Sequence, residues 1–339
     1  MDTERPAHAR RRRRSGGRDQ HGSGRHRILR MVAVVLGFVV AGIAGAVAYF
    51  LPVAATALQS TGQGGLPVES TSRANPSSGD PFTVLLLGSD NDAKFANNHL
   101  LTQSMILVRV VPKTNQVTML SIPRDLWVPI TGTSGSAKIM SAYANGGAAN
   151  AVATVERDLG VRVDHYVWTG LRGLVELIDA VGGIDVVTTN PVLDDQYPAD
   201  LSGGNPYDVA RVAVLPGAQH LDGIHALEYV RSRHGDIRGD FGRSERQQQV
   251  LLALRATARG LSFANVPDLA AALSGQVSTD LGIRQIGDLL PLIGGINIDS
   301  VQRIMLLPPY TQSAQIAGQD VLLPDWSRVR PLVAQSFPP

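Results

Sequence analysis

One short segment concentrates the residues whose types and spacing could do chemistry. The segment YVRSRHGDIRGDFGRSERQQQVL spans residues 229–251 and holds five arginines but only three acids. Arg243, Arg246 and Gln247 recur at the spacing that places residues on one helical face, together with the apolar Val250. A cation on an inward face is costly unless an anion neutralises it. The segment therefore leaves positive charge for a bound anion.

Two further arginines lie just before this predicted helix. Arg231 and Arg233 are two residues apart, which puts them on one face if residues 225–234 are extended. We then expect them to converge with Arg243 and Arg246 on one point. The planar guanidinium group binds phosphate oxygens in pairs, so such a set suits a diphosphate. The alternative, a solvated loop with internal salt bridges, is left open by spacing alone.

Carboxylates and a further arginine follow the ends of predicted strands. Asp90 and Asp92 lie in GSDND after the first strand, and Arg124 and Asp125 lie in SIPRDLWV after the third. Loops at strand ends commonly bind ligands in open α/β sheets. Aspartate oxygens suit Mg²⁺, which usually takes one or two carboxylates and completes its shell with phosphate. The simpler interpretations are a structural ion pair and aspartates that cap a turn.

Alternating strands and helices must position these residues. Strands are predicted over residues 81–88, 104–111, 116–122, 163–169, 184–189 and 301–307. Helices are predicted over residues 148–160, 171–183, 241–259, 283–294 and 325–337. Residues 112–115 are predicted to form a tight turn, and residues 190–220 an irregular surface excursion. This order favours an α/β fold with a central mixed β-sheet flanked by helices.

The amino-terminal region differs from the rest of the 339 residues. Residues 1–30 carry ten arginines against three acids, and residues 31–58 carry no charge. An apolar run of that length spans a bilayer as a helix, and its positive flank stays cytoplasmic. We predict a cytoplasmic tail (1–30), a transmembrane helix (31–58), a flexible linker (59–80) and an extracytoplasmic catalytic domain (81–339). A cleaved signal peptide and a nucleic-acid-binding tail are the other interpretations.

Several classes of chemistry are excluded by what the chain lacks. It has no cysteine, which removes disulfides and thiolate chemistry. It has no Gly-rich GxxxxGK[ST] loop and no HExxH zinc pattern. The basic tail alone would fit a regulator of transcription, but no helix-turn-helix pattern accompanies it, and we expect no nucleic acid among the partners.

Blocks of sequence resemble the LytR-CpsA-Psr family. They are LLLGSD (85–90), QSMILV (103–108), SIPRDLWV (121–128), KIMSAYANGG (138–147), LIDAVGGIDV (177–186), LDGIHALEYVRSRH (221–234) and DFGRSERQQ (240–248). The resemblance implies a membrane-anchored transferase that moves a glycopolymer from a polyprenyl diphosphate carrier to peptidoglycan and forms a phosphodiester. The alternative is a non-catalytic protein that binds polyprenyl phosphate or wall polymer.

The resemblance also implies roles for individual residues. The diphosphate would be held by Arg124, Arg231, Arg233, Arg243, Arg246 and Gln247. Asp125 and Asp240 would orient these arginines, and with Arg124, Arg231 and Arg233 they form the expected catalytic set. Asp90 would bind Mg²⁺ or Mn²⁺. Where the family commonly has an arginine and a second carboxylate, this chain has Asp92 and Gln103, which are the further candidate ligands.

Overall fold

A computed structural model of the protein describes the part of the chain that carries most of the predicted site. The described residues are 79–90, 100–188, 190–199, 201, 207–232, 240–258, 276–281 and 300–338. All of them belong to one compact unit, Val53–Pro339. The predicted tail and transmembrane segment, and almost all of the linker, lie outside these residues. Within them, no helix has the length and apolar character needed to cross a membrane.

Strands and helices alternate along the described chain. The strands are β1 Phe82–Ser89, β2 Thr102–Val111, β3 Gln116–Ser121, β4 Trp127–Pro129, β5 Ser136–Lys138, β6 His165–Thr169, β7 Ile184–Thr188, β8 Val192–Pro198, β9 Val209–Val214, β10 Gly217–Leu221, β11 Val277–Thr279, β12 Gln302–Met305, β13 Thr311–Ile316 and β14 Gln319–Pro324. The α-helices are α1 Gly147–Leu159, α2 Leu171–Ala180, α3 Gly223–Arg231, α4 Asp240–Ala258 and α5 Trp326–Ser336. A 3₁₀-helix covers Ile139–Ala142.

A six-stranded mixed sheet forms the centre of the unit. Its strand order is β11-β6-β1-β2-β3-β12. Strand β1 pairs in parallel with β6 and antiparallel with β2, and β12 pairs in parallel with β3. The predicted α/β fold with a central mixed sheet is thereby confirmed. The remaining strands form the two-stranded sheets β4-β5, β7-β10, β8-β9 and β13-β14.

Alternate residues of β1 enter different cores, as the two-residue period of a strand requires. Leu85 and Leu87 are almost fully buried in the cluster that includes residues of α1 and α5. Leu86 joins a second cluster with Ile106 of β2 and Leu251 of α4. Helix α4 therefore packs on the sheet face opposite to α1 and α5, and the candidate site lies on the α4 side.

The structure corrects two predictions about chain segments. Residues 190–220 hold β8, β9 and part of β10, which pair in antiparallel ribbons, so the predicted irregular excursion is wrong. In β8 Val192 and Tyr197 are buried as the strand pattern requires, but between them Asp194 is buried and Leu193 is exposed, which is the reverse of that pattern. Residues 225–231 are helical rather than extended, since Asp222 caps α3 by accepting a hydrogen bond from His225 N.

Other elements agree with expectation or lie beyond the described residues. The predicted turn at residues 112–115 joins β2 to β3, and Gly160 ends α1 in the left-handed conformation (φ 68°). The hairpin β13-β14 was not predicted. The helix predicted at 283–294 lies outside the described residues.

Close packing between α2 and α3 depends on a glycine. Gly223 N donates a hydrogen bond to Asp179 Oδ1 (2.7 Å), and an added Cβ would overlap the Val175 carbonyl, within 2.7 Å of Val175 Cα. We therefore expect Gly223→Ala to lower the free energy of unfolding by about 1–3 kcal/mol, measured by urea denaturation. Gly135→Ala is the matched control, because its Cβ would have no neighbour within 4 Å. Equal stability of the two variants would contradict this account of the α2–α3 contact.

Candidate functional site

A cavity of about 540 Å³ lies on the α4 side of the sheet. Residues of β1, β2, β6, β8, α2, α3 and α4 line it. Its volume falls within the range of roughly 300–1,000 Å³ that is usual for small-molecule sites. Most of the lining is aliphatic and includes Leu86, Ile106, Leu171, Leu174, Val250 and Leu254.

Several polar lining residues lie close together at one end of the cavity. Antiparallel pairing of β1 and β2 sets Gly88 opposite Ser104. Ser104 Oγ donates a hydrogen bond to Gln247 Oε1 (3.1 Å), which joins the first half of α4 to the same end. Arg243 lies one turn earlier on α4, whereas Leu254 lies two turns later. The cavity therefore has a polar end that continues into an apolar body.

Asp90 and Arg124 are linked through Gln103 at this polar end. Asp90 Oδ1 accepts a hydrogen bond from Leu101 N (3.0 Å), and Oδ2 accepts one from Gln103 Nε2 (2.6 Å). The other end of the same amide, Gln103 Oε1, accepts a hydrogen bond from Arg124 Nη1. The predicted metal ligand and the predicted phosphate ligand are thus parts of one network.

Arg124 is also held from its other side. Its Nε donates to Asp125 Oδ2 (3.3 Å), and Lys138 Nζ lies 2.8 Å from Asp125 Oδ1. Asp125 therefore contacts Arg124 directly, and its predicted role in orienting that arginine stays a prediction. Lys138, from β5, adds a cation that the sequence patterns did not single out.

The environment of Asp90 opposes its ionisation in part. Only 5% of its surface is exposed. Burial raises the pKa of the Asp90 carboxyl, and the hydrogen bonds from Leu101 and Gln103 and the charge of Arg231 oppose this shift. When hydrogen bonds and nearby cations do not fully offset the cost of burying a carboxylate, a further positive charge nearby stabilises its ionised form.

Arg231 and Arg243 bring positive charge to the cavity from two helices. Arg231 is the last residue of α3, and its Cζ lies 5.5 Å from the centre of the Tyr197 ring of β8. Such a contact fixes a guanidinium group over an aromatic face. Arg243 is 8% exposed, and both arginines line the cavity. With Arg124, they place three guanidinium groups in the described lining.

Arg246 is placed differently from the other predicted arginines. Its Nε donates to Tyr229 O (2.6 Å) and its Nη2 to Ser232 O (2.7 Å), and its Cζ lies 5.6 Å from the Tyr229 ring centre. Burial lowers the pKa of Arg246 to about 10, so it stays charged at neutral pH. Within the described residues it does not line the cavity. It ties α4 to the end of α3 that carries Arg231.

Three predicted residues have side chains outside the described part of the chain. Arg233 and Asp92 lie wholly outside it. Asp240 begins α4, but its side chain is not described. Their roles stay predictions, and so do the binding and catalytic roles of the residues that the structure places.

Asp194 is a site residue that sequence reasoning missed. It is 3% exposed, it lines the cavity, and its Oδ1 accepts a hydrogen bond from Gln196 N (3.0 Å). The pairing of β8 with β9 shifts register between Asp194 and Tyr197. Bulges of this kind often re-aim side chains beside functional sites. The only sequence signal was an acid that follows the strand-forming Val192 and Leu193, which is weak.

The polar end is a poor match for a preformed divalent-metal centre. Among the described residues, no group of three or more His, Cys, Asp or Glu side chains is placed to hold a metal. Asp90 has the oxygen chemistry that Mg²⁺ accepts. Gln103 turns its amide NH₂ toward Asp90 and gives its oxygen to Arg124, so it is not oriented as a second ligand.

Comparison with solved structures assigns this fold to a known class of proteins. The structure of TagT bound to LIIa-WTA superimposes with a TM-score of 0.64 at 27% sequence identity, covering 81% of this chain and 98% of that one. The LytR_cpsA_psr family model matches residues 49–330. The chain therefore belongs to the LytR_cpsA_psr family, which confirms the resemblance inferred from its motifs.

Two relatives carry the same functional name. The chain is 34% identical over 222 residues to the polyisoprenyl-teichoic acid–peptidoglycan teichoic acid transferase TagU of Bacillus cereus, a match covering 65% of this chain and 67% of the relative. It is 35% identical over 211 residues to the TagU of Enterococcus faecalis, covering 62% and 65%. The chain thus spans about two thirds of the length of these relatives.

Proposed function

We propose that this protein is a transferase that moves a phosphoglycosyl polymer from a polyprenyl diphosphate carrier to peptidoglycan. The observation that carries the proposal is the cavity, whose polar end holds Arg124, Arg231 and Arg243 and whose body is aliphatic. A diphosphate joined to a long apolar chain has the same division into charged and apolar parts. The names of the TagU relatives and of the TagT complex support this assignment.

The arginines would act by neutralising charge. An acceptor hydroxyl oxygen bonds to the phosphorus that carries the glycan, while the bond from that phosphorus to the bridging oxygen breaks. Polyprenyl phosphate leaves with the electron pair of that bond, and the hydroxyl proton passes to water. Fixed guanidinium groups stabilise the charge on the equatorial and leaving oxygens. No covalent intermediate with the protein is needed.

Asp90 is the proposed ligand for Mg²⁺ or Mn²⁺, with diphosphate oxygens as its other partners. Such an ion would add neutralising charge at the phosphates. Gln103 contacts both Asp90 and Arg124, and the parts of Gln103 and Asp92 as metal ligands stay predictions.

The proposed location is the cell membrane, with residues 1–30 inside and the catalytic domain outside. The charge-free run at 31–58 and the arginines before it support this topology. Protease added to intact cells is expected to cut the linker at 59–80. A fully protected linker would show that the proposed orientation is wrong.

The test of function uses the full-length protein in detergent micelles. A glycan joined to polyprenyl diphosphate and a peptidoglycan acceptor should yield a phosphodiester-linked product and free polyprenyl phosphate. Tight binding of the carrier without either product would instead indicate the non-catalytic binding protein.

A substitution in the cavity body tests whether it holds the polyprenyl chain. Leu254→Trp is expected to raise KM by about 10-fold or more for a long carrier, because the indole displaces a few methylene groups worth about 0.8 kcal/mol each. A carrier with only two isoprene units should keep nearly its wild-type KM. Leu323→Trp, at a position 38% exposed and outside the cavity lining, is the control. An equal change for both carriers would show that the chain binds elsewhere.

A further inference from the structure

Gln103 occupies a position between an anion and a cation. Its Nε2 donates to Asp90 Oδ2 at 2.6 Å, and its Oε1 accepts from Arg124 Nη1. The orientation of the amide is dictated by its partners, because an ionised carboxylate only accepts hydrogen bonds and a guanidinium group only donates them. Rotating the amide by 180° would oppose like groups at both ends. In this orientation Gln103 presents its NH₂ group, and not its oxygen, to Asp90.

The charge of the cavity also disfavours a cation in the absence of an anion. The described lining carries three guanidinium groups, on Arg124, Arg231 and Arg243, against two carboxylates, on Asp90 and Asp194. Among the described lining residues, a divalent ion would therefore add to an excess of positive charge in a partly enclosed site, where charges are weakly screened. A bound diphosphate reverses the sign of that balance.

We propose that Gln103 locks Arg124 to Asp90, so that the protein alone holds no divalent cation and accepts one only together with a diphosphate. The inference rests on the proposed function for the identity of the anion. The amide satisfies one oxygen of Asp90 in place of a metal, and it keeps Arg124 aimed at the site before the substrate arrives. Gln103 is thus a positioning residue that sets the order of binding.

The experiment measures metal binding rather than turnover. Mn²⁺ alone is titrated into the full-length protein in micelles and followed by electron paramagnetic resonance of the free ion. Wild type is expected to bind no Mn²⁺ at millimolar concentration. Gln103→Asp supplies a second carboxylate and should tighten binding by at least about 10-fold. The control is Gln312→Asp, which adds a carboxylate at an exposed position of β13 and should bind as wild type does.

Binding of geranyl diphosphate without metal, measured by calorimetry, separates this inference from the proposed function. Wild type should bind it, and Gln103→Asp should bind it more weakly until Mn²⁺ is added. Failure of wild type to bind geranyl diphosphate would count against the proposed function itself. Tight binding of Mn²⁺ alone by wild type would overturn only the role of Gln103. If Asp92→Asn then abolished that binding, Asp92 would be identified as the ligand.

Discussion

Arg231→Ala is expected to lower the turnover of the carrier by about 10³-fold or more. Arginines that neutralise the transferring phosphoryl group contribute effects of about 10³ to 10⁵ in other enzymes. Arg231 ends α3 at the polar end of the cavity, where the ring of Tyr197 supports its guanidinium group and its charge reaches Asp90. A cation held in this way needs little reorganisation when charge develops on the phosphates.

The measurement is the rate of polyprenyl phosphate release at saturating and at limiting carrier. Arg172→Ala is the matched control, because Arg172 is exposed on α2 and outside the cavity lining. Arg231→Lys should recover only part of the loss, since an ammonium group lacks the planar fork that binds two oxygens. A wild-type rate in a folded Arg231→Ala protein would contradict the proposed diphosphate site.

Arg246→Ala is expected to act mainly on stability, lowering the free energy of unfolding by about 2–4 kcal/mol. The change removes two charged hydrogen bonds to the carbonyls of Tyr229 and Ser232, each worth about 1.5–3 kcal/mol, and partial solvation of the carbonyls offsets some of the loss. It also releases the end of α3 from α4. Turnover should fall as well, because Arg231 lies between the two carbonyls in sequence and would lose its fixed position.

Urea denaturation compares Arg246→Ala with Arg231→Ala and Arg246→Lys. Arg231→Ala should lose only about 1 kcal/mol, since a half-buried contact between a guanidinium group and an aromatic ring contributes about 0.5–2 kcal/mol. Arg246→Lys should fall between wild type and alanine, because one ammonium group cannot reproduce the fork that reaches both carbonyls. If Arg246→Ala kept the wild-type free energy of unfolding but lost turnover, Arg246 would be a substrate ligand rather than a residue that holds α3 against α4.

The local sequence pattern was sufficient to predict most of the strands and helices that carry the site. The apolar runs predicted β1, β2 and β3 to within two residues, and the spacing of Arg243, Gln247 and Val250 predicted the cavity-facing side of α4. Patterns of this kind report the local period of a helix or strand, and tertiary contacts seldom override them when they are long. The pattern failed in the middle of β8, where Asp194 is buried and Leu193 is exposed.

The sequence alone was enough to predict the kind of chemistry at the polar end of the cavity. Arginines on the apolar side of a helix indicated an anion site, and aspartates at strand ends indicated a Mg²⁺ site, before any fold was known. Their partners could not be predicted, because pairing depends on register between distant segments. Gln103 meets Asp90 only because β2 returns antiparallel to β1, and it meets Arg124 only because β3 ends beside them.

The tertiary structure likewise decided which groups Arg243, Arg246 and Gln247 of α4 contact. Successive helical residues differ by about 100° in direction, so Arg246 and Gln247 lie on opposite sides of the face that Arg243 defines. Sequence spacing counts all three as one face. Packing separates them, since Gln247 meets Ser104 of β2 while Arg246 meets the carbonyls at the end of α3. The sequence by itself determined that this helix carries cations toward the core, and only the packing of α3 against α4 decided which of them reach the cavity.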